Sequence, residues 1–163
     1  MRSIAHSFLL ATTLVLAAAA PAFAAAPGSH AVTVSTGDTL ELRVGHSAEA
    51  RVRVWVESGY HVQANPPSAD YLIATQLKLG RMPGVRPGKV AYPKGVPYTL
   101  EGSDEKFSTY SGAFELVVPV HVSRAARPGG GALKGTLRYQ ACDERVCYAP
   151  VSVPVSISVR VAK

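Results

Sequence analysis

The feature that most constrains the fold is a regular alternation of apolar and polar side chains along three long stretches. It runs through residues 50–56, 114–122 and 151–161, where an apolar residue stands at every second position. Successive side chains of a β-strand point to opposite faces of the sheet, so this alternation predicts strands with one face on a core and the other in water. Four shorter runs are also compatible with strands: residues 31–35, 39–44, 71–79 and 133–141.

Turn signals separate these runs, among them Thr36-Gly37-Asp38 and Ser58-Gly59. Residues 129–131 are three glycines after a proline and are interpreted as a hairpin linker. About seven short strands with frequent turns and little helical periodicity predict an all-β protein, a β-sandwich. Pro119 and Pro154 lack the N–H that a central strand needs, so we expect them at a sheet edge or a bulge.

The first 24 residues have the organisation of a secretory signal peptide. Arg2 gives a positive start, residues 7–20 form an uncharged apolar run, and Ala22-Phe23-Ala24 supplies small residues for a signal peptidase. The run is shorter than the ~20 residues of a membrane-spanning helix. We therefore expect cleavage after Ala24, one domain over residues 25–163, and a periplasmic protein without stable membrane insertion.

The charge and composition exclude several classes of function. The formal net charge is +6 at pH 7, but the lysine and arginine residues are scattered singly. Nucleic-acid-binding surfaces cluster such residues, so no nucleic-acid partner is expected. The two cysteines have no histidine nearby in sequence, so no metal site is predicted. No phosphate-binding loop or nucleophile elbow is present, and no cofactor is implied.

Cys142 and Cys147 are separated by four residues between an incoming and an outgoing strand. Cysteines of exported proteins usually pair. Residues opposite each other in a hairpin have Cβ atoms ~4.5–5.5 Å apart, whereas a relaxed disulfide prefers ~3.8 Å, so we expect a strained, easily reduced bridge. Alternation from Leu137 and Tyr139 places Cys142 on the polar face, within reach of another protein. The outgoing strand then needs a one-residue bulge at Ala149-Pro150.

The spacing of the cysteines leaves two interpretations open. The bridge is a clip that contributes about 2 kcal/mol to a non-enzymatic binding or scaffolding module, or it is the working pair of a protein thiol–disulfide oxidoreductase. For the second interpretation, the carboxylates of Asp143 and Glu144 disfavour a thiolate on Cys142. We therefore expect Cys147 to form the mixed disulfide with a partner and Cys142 to resolve it.

The segment from Leu137 to Pro150 resembles the active-site hairpin of the N-terminal domain of the DsbD thiol:disulfide interchange protein family. That hairpin has a Tyr-Gln-small-Cys entry, a short loop and a second cysteine followed by proline three positions on. Trp55 to His61 resembles the family's strand that ends in a Gly-Tyr pair. Three further segments resemble the family's middle section: Tyr92 to Val96, Glu105 to Phe107 and Leu116 to Val120. The likeness covers nearly all of the chain after the signal peptide.

The resemblance implies an immunoglobulin-like β-sandwich in which Cys142 and Cys147 carry thiol–disulfide exchange. It implies that electrons come from a membrane-embedded reductase and pass to periplasmic thioredoxin-like oxidoreductases, which serve disulfide isomerisation and cytochrome c maturation. It also implies that Phe107 shields the disulfide and that Tyr60 lies beside it. The loop has four residues where the family often has five. Because the likeness covers one domain, we expect separate proteins to supply the electrons, or a narrower role.

Overall fold

The structure, a computed structural model, describes residues 28–163. The predicted signal peptide, residues 1–24, and its cleavage site lie outside the described residues. Within the described part, no helix is long and apolar enough to cross a membrane. Twelve strands follow one another along the chain: β1 (Val32–Ser35), β2 (Leu40–Arg43), β3 (Ser47–Val56), β4 (His61–Gln63), β5 (Gln76–Leu79), β6 (Val85–Pro87), β7 (Val96–Thr99), β8 (Lys106–Tyr110), β9 (Ala113–Val122), β10 (Gly129–Tyr139), β11 (Ala141–Cys142) and β12 (Val151–Ala162).

The strands form three four-stranded sheets. The first has the order β1-β3-β9-β6 and the second the order β2-β12-β10-β5, and these two are the layers of the sandwich. The third sheet, with the order β11-β4-β8-β7, contains the first cysteine. Neighbouring strands are antiparallel except β2 and β12, which are parallel. The predicted all-β, immunoglobulin-like sandwich is confirmed.

The alternation seen in the sequence forms the core of the sandwich. On β3, Ala50, Val52, Val54 and Val56 are buried while the residues between them are exposed. The long strands β9 and β12 show the same two-residue burial pattern. Side chains from both layers join in one apolar cluster. Removal of this apolar surface from water is the main force that holds the two layers together.

The two strand prolines lie where a missing N–H is tolerated. Between the pairings of Pro87 with Val120 and of Ala91 with Val117, the partner segment has one residue more than β9, which creates a bulge opposite Pro119. Pro154 lies in a part of β12 that pairs with β10 alone, since β2 pairs only with Val159 to Ala162. The predicted edge and bulge positions are thus confirmed.

Two predictions about secondary structure need correction. Residues 129–131 are not a linker but the start of β10, where they pair with β12. Glycine suffices there because the backbone alone makes the hydrogen bonds of a ladder. Of the predicted strand over residues 71–79, only Gln76–Leu79 lies in a sheet. Before it, the backbone makes irregular hydrogen bonds instead: the Ile73 N–H donates to the Gln140 side chain at 2.8 Å, and the Thr75 N–H donates to the Gln63 carbonyl at 3.0 Å.

Candidate functional site

The candidate site is a hairpin that carries both cysteines. Cys142 and Cys147 face each other as an antiparallel bridge, are joined by a disulfide, and have Cα atoms 3.9 Å apart. Residues 143–146 form the loop between them. The next pairing along the hairpin joins Tyr139 to Val151. Between the two pairings, the strand that leaves the loop has one residue more than the strand that enters it. The predicted hairpin and the predicted one-residue bulge are both confirmed.

Asp143 organises the loop between the cysteines. One of its carboxylate oxygens accepts hydrogen bonds from the N–H groups of Arg145 and Val146 at 2.7 and 2.8 Å. The other accepts from the Tyr148 hydroxyl. That hydroxyl, and then the two N–H groups, lower the pKa of Asp143 to about 2, while the carboxylate raises the pKa of Tyr148. Asp143 is therefore ionised at neutral pH and closes the turn, as short aspartate side chains commonly do.

Gln140 ties the incoming strand to its surroundings. Its Nε2 donates to the Tyr148 carbonyl at 3.2 Å, and its Oε1 accepts from the N–H of Ile73 at 2.8 Å. The Tyr148 N–H in turn donates to the Ala141 carbonyl at 2.8 Å. The strand that enters the cysteine loop is thus bound both to the strand that leaves it and to the segment before β5.

Burial distinguishes the two cysteines. Cys142 is 1% exposed, whereas Cys147 is partly exposed and its neighbour Val146 is 49% exposed. The expectation that Cys142 lies on an accessible polar face is wrong. The alternation of the incoming strand ends at Gln140, where β11 leaves the ladder with β12 and pairs with β4 instead. Only Cys147 is accessible from outside.

A buried glutamine on β4 contacts both sulfur atoms. Gln63 is 0% exposed, and its Nε2 lies 3.2 Å from Sγ of Cys142 and 3.8 Å from Sγ of Cys147. Its Oε1 has no hydrogen-bond partner within the described chain. Sequence reasoning missed this residue. The available signal was an isolated glutamine between the apolar Val62 and Ala64, since a buried polar side chain usually has a specific partner.

The hairpin made by β7 and β8, called here the covering hairpin (residues 96–110), contacts the cysteine loop. The Tyr98 hydroxyl donates to the Asp143 carbonyl at 3.3 Å, and the Glu101 N–H donates to the Glu144 carbonyl at 2.7 Å. The Glu101 carboxylate also lies 3.4 Å from Nε of Arg145. This ion pair is exposed, so the two hydrogen bonds fix the contact more than the charges do.

His61 fills the space between the covering hairpin and the cysteine strand. It pairs with Cys142 across the β4–β11 ladder, and its ring stacks on the Tyr98 ring with centroids 3.6 Å apart. Burial lowers the pKa of His61. The ring is therefore neutral at neutral pH and packs as an aromatic surface beside the buried cysteine.

The chemistry available at this hairpin is that of a disulfide with unequally accessible ends. A thiolate from another protein can reach Cys147, and the sulfur of Cys142 would then be the leaving group. No cluster of three or more histidine, cysteine, aspartate or glutamate side chains in residues 28–163 is arranged to hold a metal ion.

The family described as the N-terminal domain of the thiol:disulfide interchange protein DsbD matches residues 31–157. The chain belongs to the DsbD N-terminal family. The match includes the whole cysteine hairpin, β4 and the covering hairpin. The resemblance stated from the sequence is thereby confirmed. None of the curated proteins matches this sequence.

Two solved structures are similar to this chain. The N-terminal periplasmic domain of ScsB from Proteus mirabilis is similar with a TM-score of 0.53 and 13% identity, over 81% of this chain. This chain spans 47% of that structure's chain. A family 123 glycoside hydrolase from Clostridium perfringens has a TM-score of 0.42 and 12% identity, over 81% of this chain and 27% of its own. At these identities only the first likeness is informative, and it concerns the fold alone.

Phe107, which the DsbD resemblance implies as the shield of the disulfide, lies on β8 of the covering hairpin. It is 6% exposed, pairs across the strands with Tyr98, and lies outside the main apolar cluster. The side chains of this hairpin that contact the cysteine loop are those of Tyr98 and Glu101. The shielding role of Phe107 stays a prediction, and Tyr98 joins it as a residue that sequence reasoning had not singled out.

Tyr60, the other residue implied by the DsbD resemblance, lies next to the outgoing side of the hairpin. It is partly buried, its hydroxyl is hydrogen-bonded to Nε2 of His30 at 3.2 Å, and its ring centroid is 6.3 Å from that of Tyr148. Tyr148 directly follows Cys147, so Tyr60 neighbours the accessible end of the pair. Its supporting role stays a prediction.

Proposed function

We propose that this protein is a periplasmic thiol–disulfide exchange protein that passes reducing equivalents between a membrane reductase and thioredoxin-like oxidoreductases. The observation that carries the proposal is the asymmetry of the pair on a DsbD-family hairpin: Cys147 is partly exposed, and Cys142 is 1% exposed. An exchange reaction needs one sulfur that a partner can attack and one that stays protected until it is used. The predicted removal of residues 1–24 and the domain over residues 25–163 are part of this proposal.

The proposed reaction begins when a partner thiolate attacks Sγ of Cys147. The Sγ–Sγ bond breaks, its electron pair leaves with Cys142 as a thiolate, and a mixed disulfide joins the two proteins. A second thiolate of the partner then attacks the partner's own sulfur in the mixed disulfide and releases Cys147. The partner is oxidised by two electrons, this protein is reduced by two, and the two new thiolates take up protons from solvent. In the reverse direction the Cys147 thiolate attacks a partner disulfide and Cys142 resolves the product.

We assign supporting roles to the two aromatic residues implied by the family. Phe107 belongs to the hairpin that contacts the cysteine loop, which supports a shielding role against non-specific thiols. Tyr60 packs near Tyr148, which supports a role in holding the outgoing strand in place. Neither residue takes part in the bond changes.

The reduction potential of the disulfide tests the proposal. It is measured by equilibrating the protein in thiol buffers and counting alkylated cysteines. A value around −180 to −270 mV is expected, because exchange proteins work in that range. A value below about −300 mV would mark a structural clip and favour the binding or scaffolding module instead.

A matched pair of variants tests the assigned order of attack. With a thioredoxin-like disulfide partner, Cys142→Ser should accumulate a mixed disulfide through Cys147, since nothing resolves it. Cys147→Ser should accumulate little mixed disulfide, because its remaining cysteine, Cys142, is buried. Equal trapping by both variants would contradict the assignment of Cys147 as the attacking residue.

A further inference from the structure

Gln63 contacts both reacting sulfurs, and the exchange steps described above do not use it. Its side chain is 0% exposed and comes from β4, not from the cysteine hairpin itself. The Nε2 donor is closer to Cys142, at 3.2 Å, than to Cys147, at 3.8 Å. The amide therefore faces the sulfur that leaves when Cys147 is attacked.

The amide of Gln63 is poorly matched to the oxidised pair. Sulfur is a weak hydrogen-bond acceptor, and Oε1 of Gln63 has no partner among the described residues. Buried polar atoms are nearly always hydrogen-bonded, and an apolar side chain between Val62 and Ala64 would leave no such atom. The side chain is better suited to a state in which both of its ends are satisfied.

Opening the disulfide creates that state. When a partner thiolate bonds to Sγ of Cys147, the electron pair of the broken bond goes to Sγ of Cys142. A thiolate accepts a hydrogen bond more strongly than a neutral sulfur does, because charge-assisted hydrogen bonds are roughly twice as strong. Once a thiol has formed, its S–H can donate to Oε1. The amide thus offers a donor that a thiolate would bind more strongly than the disulfide does, and an acceptor for which the disulfide has no proton.

We propose that Gln63 is a catalytic residue of the exchange: its Nε2–H stabilises the Cys142 thiolate as it leaves, and its Oε1 accepts an S–H of the reduced pair. This inference rests on the exchange function proposed above. It explains why a buried strand position that contacts the disulfide holds an amide. It also assigns a chemical role to β4, which otherwise only covers the buried cysteine.

The test compares Gln63→Met with a matched control, Thr75→Val. Thr75 is also 0% exposed and also has a side-chain oxygen without a hydrogen-bond partner, but that oxygen makes no hydrogen bond to either sulfur. The rate at which dithiothreitol reduces the oxidised protein should fall about tenfold in Gln63→Met and stay within about twofold in Thr75→Val. If the equilibrium constant for reduction of the disulfide also falls about tenfold, the reduction potential becomes more negative by about 30 mV.

A pH titration separates stabilisation of the thiolate from packing. In the Cys147→Ser background, ultraviolet absorbance of the thiolate reports the pKa of Cys142, which Gln63→Met should raise by about one unit. Equal rates and equal pKa values with and without the amide would overturn the inference. So would an equal effect of Thr75→Val, which would mean that packing alone matters.

A measurement on the unaltered protein serves if neither Gln63→Met nor Gln63→Leu folds. The NMR signals of the Gln63 side-chain amide should shift on reduction and should follow the titration of the thiol. Unchanged signals would contradict the inference. A wild-type disulfide that resists reduction in the exchange range would instead remove the proposed function, and the inference with it.

Discussion

The sandwich and the cysteine loop of this protein depend to different degrees on apolar burial and on polar contacts. The sandwich joins long strands such as β3 and β12 through apolar side chains that meet in one cluster. At the site, β4 and β11 have only three and two residues, and they contribute Val62 and Ala141 to that cluster. The cysteine loop beyond them is positioned by directed polar contacts from Gln63, Tyr98 and Asp143. Apolar burial supplies most of the folding free energy, whereas a hydrogen bond adds little net stability but fixes a position. Changes to polar contacts of the cysteine loop should therefore affect the reactivity of the disulfide more than the stability of the sandwich.

The largest effect on stability should come from a cavity in the sandwich. Leu116 on β9 is 0% exposed, so Leu116→Ala should lower the free energy of unfolding by about 2–5 kcal/mol. Urea denaturation measures this change. Val96→Ala on the covering hairpin, at a position 62% exposed, is the control and should change stability by less than about 0.5 kcal/mol. The disulfide of the folded Leu116→Ala protein should react with dithiothreitol at the wild-type rate. An altered rate would show that packing in the sandwich controls the reactivity of the site.

The next largest effect should come from removing the disulfide. Cys142→Ser combined with Cys147→Ser should abolish exchange with a thioredoxin-like disulfide and lower the free energy of unfolding by about 2 kcal/mol, because the bridge closes only a short loop. Urea denaturation and an exchange assay measure the two losses. The reduced wild type is the control, and its stability should match that of the variant. A much larger loss would mean that the sandwich depends on the bridge.

A smaller effect should follow from loosening the covering hairpin. Tyr98→Phe keeps the aromatic ring but removes the hydrogen bond to the Asp143 carbonyl. Stability should fall by about 0.5–1.5 kcal/mol, while reduction of the disulfide by dithiothreitol becomes faster because the loop is less covered. Tyr71→Phe provides the comparison, because it removes an exposed hydroxyl that donates to Glu105 of the same hairpin but does not contact the cysteine loop. An unchanged reduction rate in Tyr98→Phe would show that this hydrogen bond does not control access.

The smallest effect should be the dependence of the loop on pH. The pKa of Asp143 is about 2 in the folded protein, below its ordinary value, because the Tyr148 hydroxyl and two N–H groups bind the carboxylate. The stabilisation of the loop by the Asp143 carboxylate is therefore complete above about pH 4 and is lost as the pH falls toward 2. Hydrogen exchange at the Arg145 and Val146 amides should become faster, relative to core amides, over this interval.

Asp143→Asn is the control for that titration. The amide side chain does not ionise in this range, so the same two backbone amides should lose their local pH dependence. NMR of the Asp143 carboxyl in the wild type gives its pKa directly. A value near the ordinary aspartate pKa would contradict the hydrogen-bonded loop described above.

Much of the sandwich is predictable because its information is local. Alternation along residues 114–122 and 151–161 is a property of neighbouring positions, and it correctly gives two long strands with one buried face. The cysteine hairpin and its one-residue bulge are local as well. The same reasoning failed for residues 129–131, because backbone pairing with β12 gives no signal in side chains.

The parts of the site that the sequence did not predict are those that depend on distant segments. Gln63 is 79 residues from Cys142 in the sequence, and Tyr98 is 45 residues from Asp143. No periodicity within the cysteine segment reports that β4 will cover it, so alternation alone gave Cys142 the wrong face. The family resemblance supplied Phe107 and Tyr60 but not the glutamine or the tyrosine that make hydrogen bonds there.

The parallel pairing of β12 with β2 has a consequence for how the chain folds. Its strands come from opposite ends of the described chain, so the second sheet cannot be completed until the final strand is available. Pairings between residues far apart in sequence form slowly, whereas a loop as short as that between the two cysteines closes many orders of magnitude faster. In an oxidising compartment the sulfurs can therefore meet before the sandwich closes. The two cysteines thus come into contact on a chain whose second sheet is still incomplete.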